Sequence, residues 1–320
     1  LVLVYVLIGG MLAVAWTDFI QMIVLVVGLS LIAVMAGHEA GGADKVLALA
    51  HEQNWFHIWP ENTSAGWIAF VAAAITMMLG SIPQQDVFQR VMSAKDADTA
   101  QRGAIIGGLS YLAFAFVPMF IVASALIIMP AETKELLAND PQKVLPTLIL
   151  SKMPLVAQIF FFGALVSAIK STSSATLLAP STSFVENILK NLLPRMTDKQ
   201  ELLYMRITIF VFTGLVMTYA IVMKGTPIYD MVSAAYQVPL VGAFVPLTFG
   251  LYWKRATTQG AVLSIFLGIG TLVLFMFNKT LGDAFPGQLA GLLMALLGML
   301  LGSLGPQLLA DHKGHVKHMV

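Results

Sequence analysis

The chain has 320 residues, of which 58% are apolar and 11% charged, with a formal net charge of +1. Soluble domains carry about 25% charged residues, and a mean hydropathy of +0.83 implies more apolar surface than a water-soluble globule of this size can hide. A soluble enzyme, a nucleic-acid binder and a disordered scaffold are therefore excluded, and the lack of cysteine excludes disulfides and thiolate chemistry.

The class that fits is an all-α polytopic membrane protein, each span needing about 20 mostly apolar residues. The sequence opens Leu1-Val2-Leu3-Val4 within an apolar run, without an initiator Met, a charged leader or a cleavage site. It reads as a fragment lacking its true N-terminus. Nine apolar segments follow in order. The first is 1–16, ending at Trp16-Thr17-Asp18, and the second is 19–37. A polar stretch, 38–65, has Trp55, Trp59 and then Trp67 near its end, where interfacial tryptophans are expected. The remaining segments are 66–82, 103–129, 154–178, 203–223, 228–251, 258–277 and 286–305. Pro239 and Pro246 are expected to kink the seventh.

Lys and Arg placement predicts the topology. Eleven fall in 84–102, 190–206, 254–255 and 306–320, six fall on the other side, and Lys170 lies inside a segment. The richer side is expected to be cytoplasmic. This puts the C-terminus inside, 38–65 outside, and has the first segment entering from outside. The whole of 1–320 reads as one membrane domain, expected in a plasma (inner) membrane.

Two stretches carry candidate chemistry. In the fifth segment, Ala168, Ser171 and Thr172 sit at i, i+3 and i+4 and share a face. Isolated hydroxyls in hydrocarbon commonly bond back to the i−4 carbonyl or join helices. A cluster of them beside a small residue that exposes its carbonyl also makes half of an oxygen site for a hard cation, the other half coming from another helix. Lys170 lies at roughly 100° from Ser171 and further from Ala168 and Thr172. It either snorkels or pairs with an acid, or it substitutes a fixed or titrating charge for a coupling ion. The third segment ends Gly80-Ser81-Ile82-Pro83-Gln84-Gln85. That is either a plain helix end or the broken helix of a transport site, whose freed backbone lines a cavity. An interruption at Gly80–Pro83 is the expectation.

Four stretches, in this order, resemble the sodium/solute symporter family, which includes proline, pantothenate, choline and glucose cotransporters. They are Gly9-Gly10 through Thr17-Asp18-Phe19-Ile20-Gln21, Ile82-Pro83-Gln84-Gln85-Asp86 through Lys95, Ala168 through Ser174, and Met205-Arg206-Ile207-Thr208. The resemblance implies a LeuT-type fold of two inverted five-helix repeats with its first core helices missing. Residues 1–37 then end the first repeat, 66–251 form the second, and 258–305 are extra helices. It further implies a sodium-binding site at Ala168, Ser171 and Thr172, and an ion path past Asp18, toward which Lys170 is expected to reach. Substrate-lining positions are Leu79, Gly80, Ser81, Pro83 and Gln84. Family sugar transporters have aromatic residues near Leu79, Gly80 and Ser81, and the choline branch has Trp at the position of Gln84. Both departures point to another small polar or zwitterionic solute, such as an amino acid or carboxylate.

The leading expectation is sodium-coupled symport across the bilayer, with sodium as coupling ion, no other cofactor and no nucleic-acid partner. The alternatives are a transporter-like sensor domain, a proton-coupled or uncoupled transporter using Lys170, and a truncated product without transport. An enzyme is not expected, because no catalytic dyad or buried acid pair is evident. His312, His315 and His318 form a weak metal-like tract.

Overall fold

The segments 1–16 and 19–37 are not two spans. In the computed structural model, which describes residues 2–309 except the side chains of 2–14, 86, 89, 174 and 175, they form one helix, α1 (Val2–Glu39). Two spans need a reversal, and Trp16-Thr17-Asp18 contains neither Gly nor Pro to make one. The 38 residues of α1 extend about 57 Å at 1.5 Å each, against about 30 Å of hydrocarbon, and Ala15–Glu39 is the part long and apolar enough to cross a membrane. The three tail histidines lie outside the described residues.

The chain turns after α1 at Gly41 and Gly42, whose φ of +88° and +112° is a conformation glycine adopts without a Cβ penalty. The short α2 (Ala43–Glu52) follows, within the stretch read as an external loop. Then α3 (Ser64–Gly80) and α4 (Gln85–Met92) are separated by the expected break. Across it Ile82 N–H donates to the Leu79 carbonyl at 3.3 Å and Gln84 N–H to the Ser81 carbonyl at 3.2 Å, i→i−3 bonds in place of the α-helical ladder. Pro83 has no donor to offer.

A long α5 (Ala97–Ile128) is followed by α6 (Pro130–Asn139) and α7 (Val144–Lys152). This short pair was not foreseen from sequence. At 10 and 9 residues neither can span a bilayer. Val144, Leu148 and Ile149 are nonetheless fully buried, and Thr133 Oγ1 donates to the Ala125 carbonyl at 3.0 Å, fixing α6 against the end of α5. The next helix, α8 (Leu155–Phe184), continues through one π turn (Val185–Leu189) into α9 (Lys190–Leu192).

Beyond α10 (Asp198–Val222), α11 (Ile228–Pro239) and α12 (Val245–Tyr252) are joined by a π turn, Leu240–Phe244. This is where Pro239 and Pro246 were expected to disturb the helix. The described chain ends with α13 (Thr258–Phe277), α14 (Lys279–Ala284) and α15 (Gly287–Leu304). Seven of these helices are long and apolar enough to cross a membrane, counting α11–α12 together, and the apolar α3 is shorter.

The helices form two compact units. One comprises Leu1–Ile58 with Gln89–Pro227. Its core packs Ile32 and Ala36 of α1, Ile121 and Ala125 of α5, Leu148 and Ile149 of α7, and Ala157 and Phe161 of α8. The other comprises Trp59–Phe88 with Ile228–Val320. Its core packs Leu240, Val241 and Val245 against Leu272, Leu292, Ala295 and Met299. Large apolar side chains cover the outside of α1, α5, α8 and α10 (Phe19, Leu109, Phe116, Ile159, Phe210, Leu215), as lipid-facing helices require.

Candidate functional site

The site grows from the α1–α8 contact. Beside Gly28 lie the Phe160 carbonyl and the Ala164 Cβ, while Asp18 meets Ser171. Residue numbers rise along α1 as they fall along α8, so the two helices are antiparallel. Asp18 is half-buried on a membrane-length helix, where an ionised carboxylate is costly unless it is paired and hydrogen-bonded. Both of its oxygens have partners. Ser171 Oγ donates to Oδ1 at 2.6 Å, and Arg90 Nη2 donates to Oδ2 at 2.8 Å. Such charge-assisted bonds are roughly twice as strong as neutral ones. Side-chain exposure is 40% for Arg90 and 20% for Asp18, so the pair is open to water on the arginine side.

One turn along α1, at i+3 from Asp18 and hence on the same face, stands Gln21. Its Oε1 is buried and accepts no hydrogen bond among the described residues. An unsatisfied buried acceptor costs about 1–3 kcal/mol. The antiparallel register puts Gln21 about level with Ala168. An orphaned oxygen, a carboxylate and a hydroxyl thus lie along one side of α1–α8, next to the small residue expected to expose a carbonyl. Oxygen donors of this kind suit hard cations.

The predicted residues are distributed as follows. Ala168 and Lys170 are half-buried on α8. Ser171 faces Asp18. Thr172 is exposed, and its carbonyl accepts from Thr176 Oγ1 at 2.8 Å, the back-bonding expected of hydroxyls in apolar helices. In the other unit, Leu79 packs beside the Leu240–Met299 core. Gly80 is buried where a Cβ would come 2.5 Å from the Tyr236 carbonyl, so only glycine lets α3 approach α11 this closely. Ser81 Oγ donates to the Met78 carbonyl at 3.0 Å. Ser81, Pro83 and Gln84 are half-buried at the break.

Two residues of the site were missed in the sequence. Arg90 stood within a family-like stretch but was counted only as a cytoplasmic positive charge. It is 72 residues from Asp18, and no local pattern reveals such a pair. Gln21 stood at the end of the Thr-Asp stretch, where its spacing from Asp18 was the available signal.

A family model described as "Sodium:solute symporter family" matches residues 1–268. Among curated relatives, the high-affinity proline transporter PutP of Bacillus subtilis is 26% identical, over 93% of this chain and 62% of the relative. The sodium/sialic acid symporter NanT of Aliivibrio fischeri is 26% identical over 94% and 61%. The human high affinity choline transporter 1 is 26% identical over 83% and 46%. The chain thus spans about half to three-fifths of these relatives, which are transporters rather than enzymes. A solved structure of a Na+-coupled sialic acid symporter, substrate-bound and outward-open, superposes with a TM-score of 0.72 at 22% identity, covering 95% of this chain and 65% of that one. This likeness identifies the all-α LeuT-type fold. The chain belongs to the sodium:solute symporter family.

Proposed function

We propose that the chain forms the ion-coupling part of a secondary active transporter that moves a small polar or zwitterionic organic solute together with sodium. The observation that carries this reading is the Asp18–Ser171 bond across α1 and α8, with the orphaned Gln21 oxygen one turn away. The Ala168 carbonyl and the Ser171 and Thr172 hydroxyls bind the sodium ion, Gln21 offers a further oxygen, and Asp18 receives the ion on its way to the cytoplasm. Sodium is cargo here, and its gradient drives the solute.

The solute lines up with the break between α3 and α4, where Leu79, Gly80, Ser81, Pro83 and Gln84 present backbone and short side chains. In this reading α1 closes the first repeat, α3–α12 make the second, and α13–α15 are additions. The protein lies, in this reading, in the plasma (inner) membrane, and the excess of Lys and Arg on one side supports a cytoplasmic C-terminus and a cytoplasmic Arg90. With one span ahead of the 38–65 stretch instead of two, the start of α1 is cytoplasmic, reversing the entry side read from sequence.

The test is uptake by proteoliposomes carrying the full-length protein, with a panel of zwitterionic amino acids, carboxylates and choline. An inward sodium gradient should stimulate uptake of one class. Thr172→Ala should raise the sodium concentration for half-maximal uptake about tenfold, the loss of one ligand worth about 1.4 kcal/mol. Uptake driven equally by a proton gradient without sodium would overturn the reading and favour a coupling role for Lys170.

A further inference from the structure

We propose that Arg90 is a resident stand-in for the transported cation: it competes with sodium for Asp18, and the ion is released to the cytoplasm by exchange for the guanidinium. The inference rests on the sodium-coupling reading above and adds to it a residue that sets how the ion leaves.

The geometry supports a competition rather than a fixed strut. Asp18 has two oxygens, and Arg90 holds one while Ser171 holds the other. The serine hydroxyl can rotate and present a lone pair, so it is able to serve a cation as well as a carboxylate. The guanidinium has donors only. It cannot share Oδ2 with a sodium ion without setting two positive charges side by side in a partly dehydrated site. Occupation of Asp18 by sodium and by Arg90 is therefore close to mutually exclusive.

Arg90 also has somewhere to go. Its side chain is 40% exposed, so water is available when the pair opens. It stands on α4, an eight-residue helix that begins directly after the non-helical turn at Ser81–Gln84. A short helix beyond a break can tilt without unwinding a long one. Whichever cation is present, Asp18 is never left as a bare carboxylate in a membrane helix, which would be costly. The ion's departure is then helped by a charge already tethered nearby.

The experiment compares sodium binding and two transport modes in the full-length protein. Arg90→Gln should lower the sodium dissociation constant about two- to fivefold, the range of an exposed ion pair. It should slow net uptake, which requires ion release, more than solute exchange with sodium saturating on both sides. Arg90→Lys should keep the wild-type constant, and Asp18→Asn combined with Arg90→Gln should abolish the tightening. A measurement on the unmutated protein covers the case in which the variant does not fold. Sodium, compared with choline chloride, should accelerate modification of Arg90 by phenylglyoxal, located by mass spectrometry. Unchanged or weaker sodium binding in Arg90→Gln, or modification that sodium slows or leaves alone, would overturn the competition while the sodium-coupled reading stands. Wild-type uptake indifferent to sodium would overturn the coupling reading, and this inference with it.

Discussion

The α1–α8 contact in one unit and the α13–α15 contact in the other are both antiparallel helix pairs, held by opposite means. Between α13 and α15 the surfaces meet through glycine. A Cβ on Gly260 would collide with Ser303, one on Gly268 would come 3.0 Å from the Ala295 Cβ, and one on Gly298 would come 2.8 Å from the Leu263 carbonyl. Close backbone approach through small residues is how helices associate where lipid is as apolar as the side chains. Between α1 and α8 the surfaces carry Asp18, Ser171 and Gln21, and one oxygen lacks a partner. The first interface maximises packing; it holds one buried hydroxyl without a hydrogen-bond partner among the described residues, Ser264 Oγ, but neither of its helices carries a charged residue. The second carries a carboxylate, a hydroxyl and an unpartnered amide oxygen, which in the proposed reading exchange stability for ion binding.

The largest expected effect breaks the packed interface. Gly268→Val places a branched side chain against the Val241 backbone and the Ala295 Cβ, 3.0 Å from the new Cβ. Neither can move cheaply, so the loss should be on the order of 3 kcal/mol or more, read as a sharp drop in the thermal unfolding midpoint in detergent. Gly214→Ala on α10, with no heavy atom within 4 Å of the new Cβ, should be neutral or stabilising by up to about 1 kcal/mol, from helix propensity alone. Equal midpoints for the two variants would refute the claim that the glycines of α13 and α15 are there for close approach.

A smaller effect separates stability from function in the other unit. Gln21→Leu removes the unpartnered amide oxygen and keeps a similar volume. Thermal stability should hold or rise, since an unsatisfied buried acceptor costs about 1–3 kcal/mol. The sodium concentration for half-maximal uptake should rise about tenfold, which corresponds to about 1.4 kcal/mol of lost ion binding. A variant that unfolds more easily and transports with unchanged sodium dependence would show that Gln21 is only a packing residue.

The same contrast explains what the sequence did and did not reveal. The packed helices were legible, because uniform apolarity bounded by polar residues is enough. The segment 258–277 coincides with α13, and Gly80 and Pro83 marked the break after α3. The polar region misled at Trp16-Thr17-Asp18, which looked like a helix end because a charge within a span is expensive. The helix continues because Arg90 and Ser171 offset that expense, and their pairing spans 72 and 153 residues. Of the candidate site, the hydroxyl cluster on α8 drew attention to Ser171, which meets Asp18, whereas Thr172 of the same i, i+3, i+4 set is exposed. The pairing itself was not legible, since nothing local ties Arg90 to Asp18. The α6–α7 pair escaped notice because helices too short to span leave no hydropathy signal.

The smallest effect extends the comparison to helix ends, where charge and hydroxyl solve one problem in the two units. Helix α5 is capped by Asp96, whose carboxylate accepts from Thr99 N–H at 2.7 Å. Helix α13 is capped by Thr257, whose hydroxyl accepts from Gly260 N–H at 3.1 Å. Each satisfies one of the free N–H groups of a first turn. The hydrogen bonds from Thr99 hold the Asp96 carboxyl below the usual aspartate range. Because its folded-state pKa is depressed, its contribution is complete above the unfolded-state value, shrinks as pH falls through that value, and is gone below the folded one. Thr257 does not titrate. Thr257→Ala should therefore cost about 1 kcal/mol at every pH at which the protein stays folded. Asp96→Asn should be close to wild type in acid, where Asp96 is already neutral, and less stable at neutral pH, where the charge also complements the positive end of the helix. Unfolding midpoints of the two variants and the wild type, followed from pH 7 downward until the wild type no longer changes relative to Asp96→Asn, decide it. A pH-independent difference for Asp96→Asn would mean the cap acts through its geometry alone.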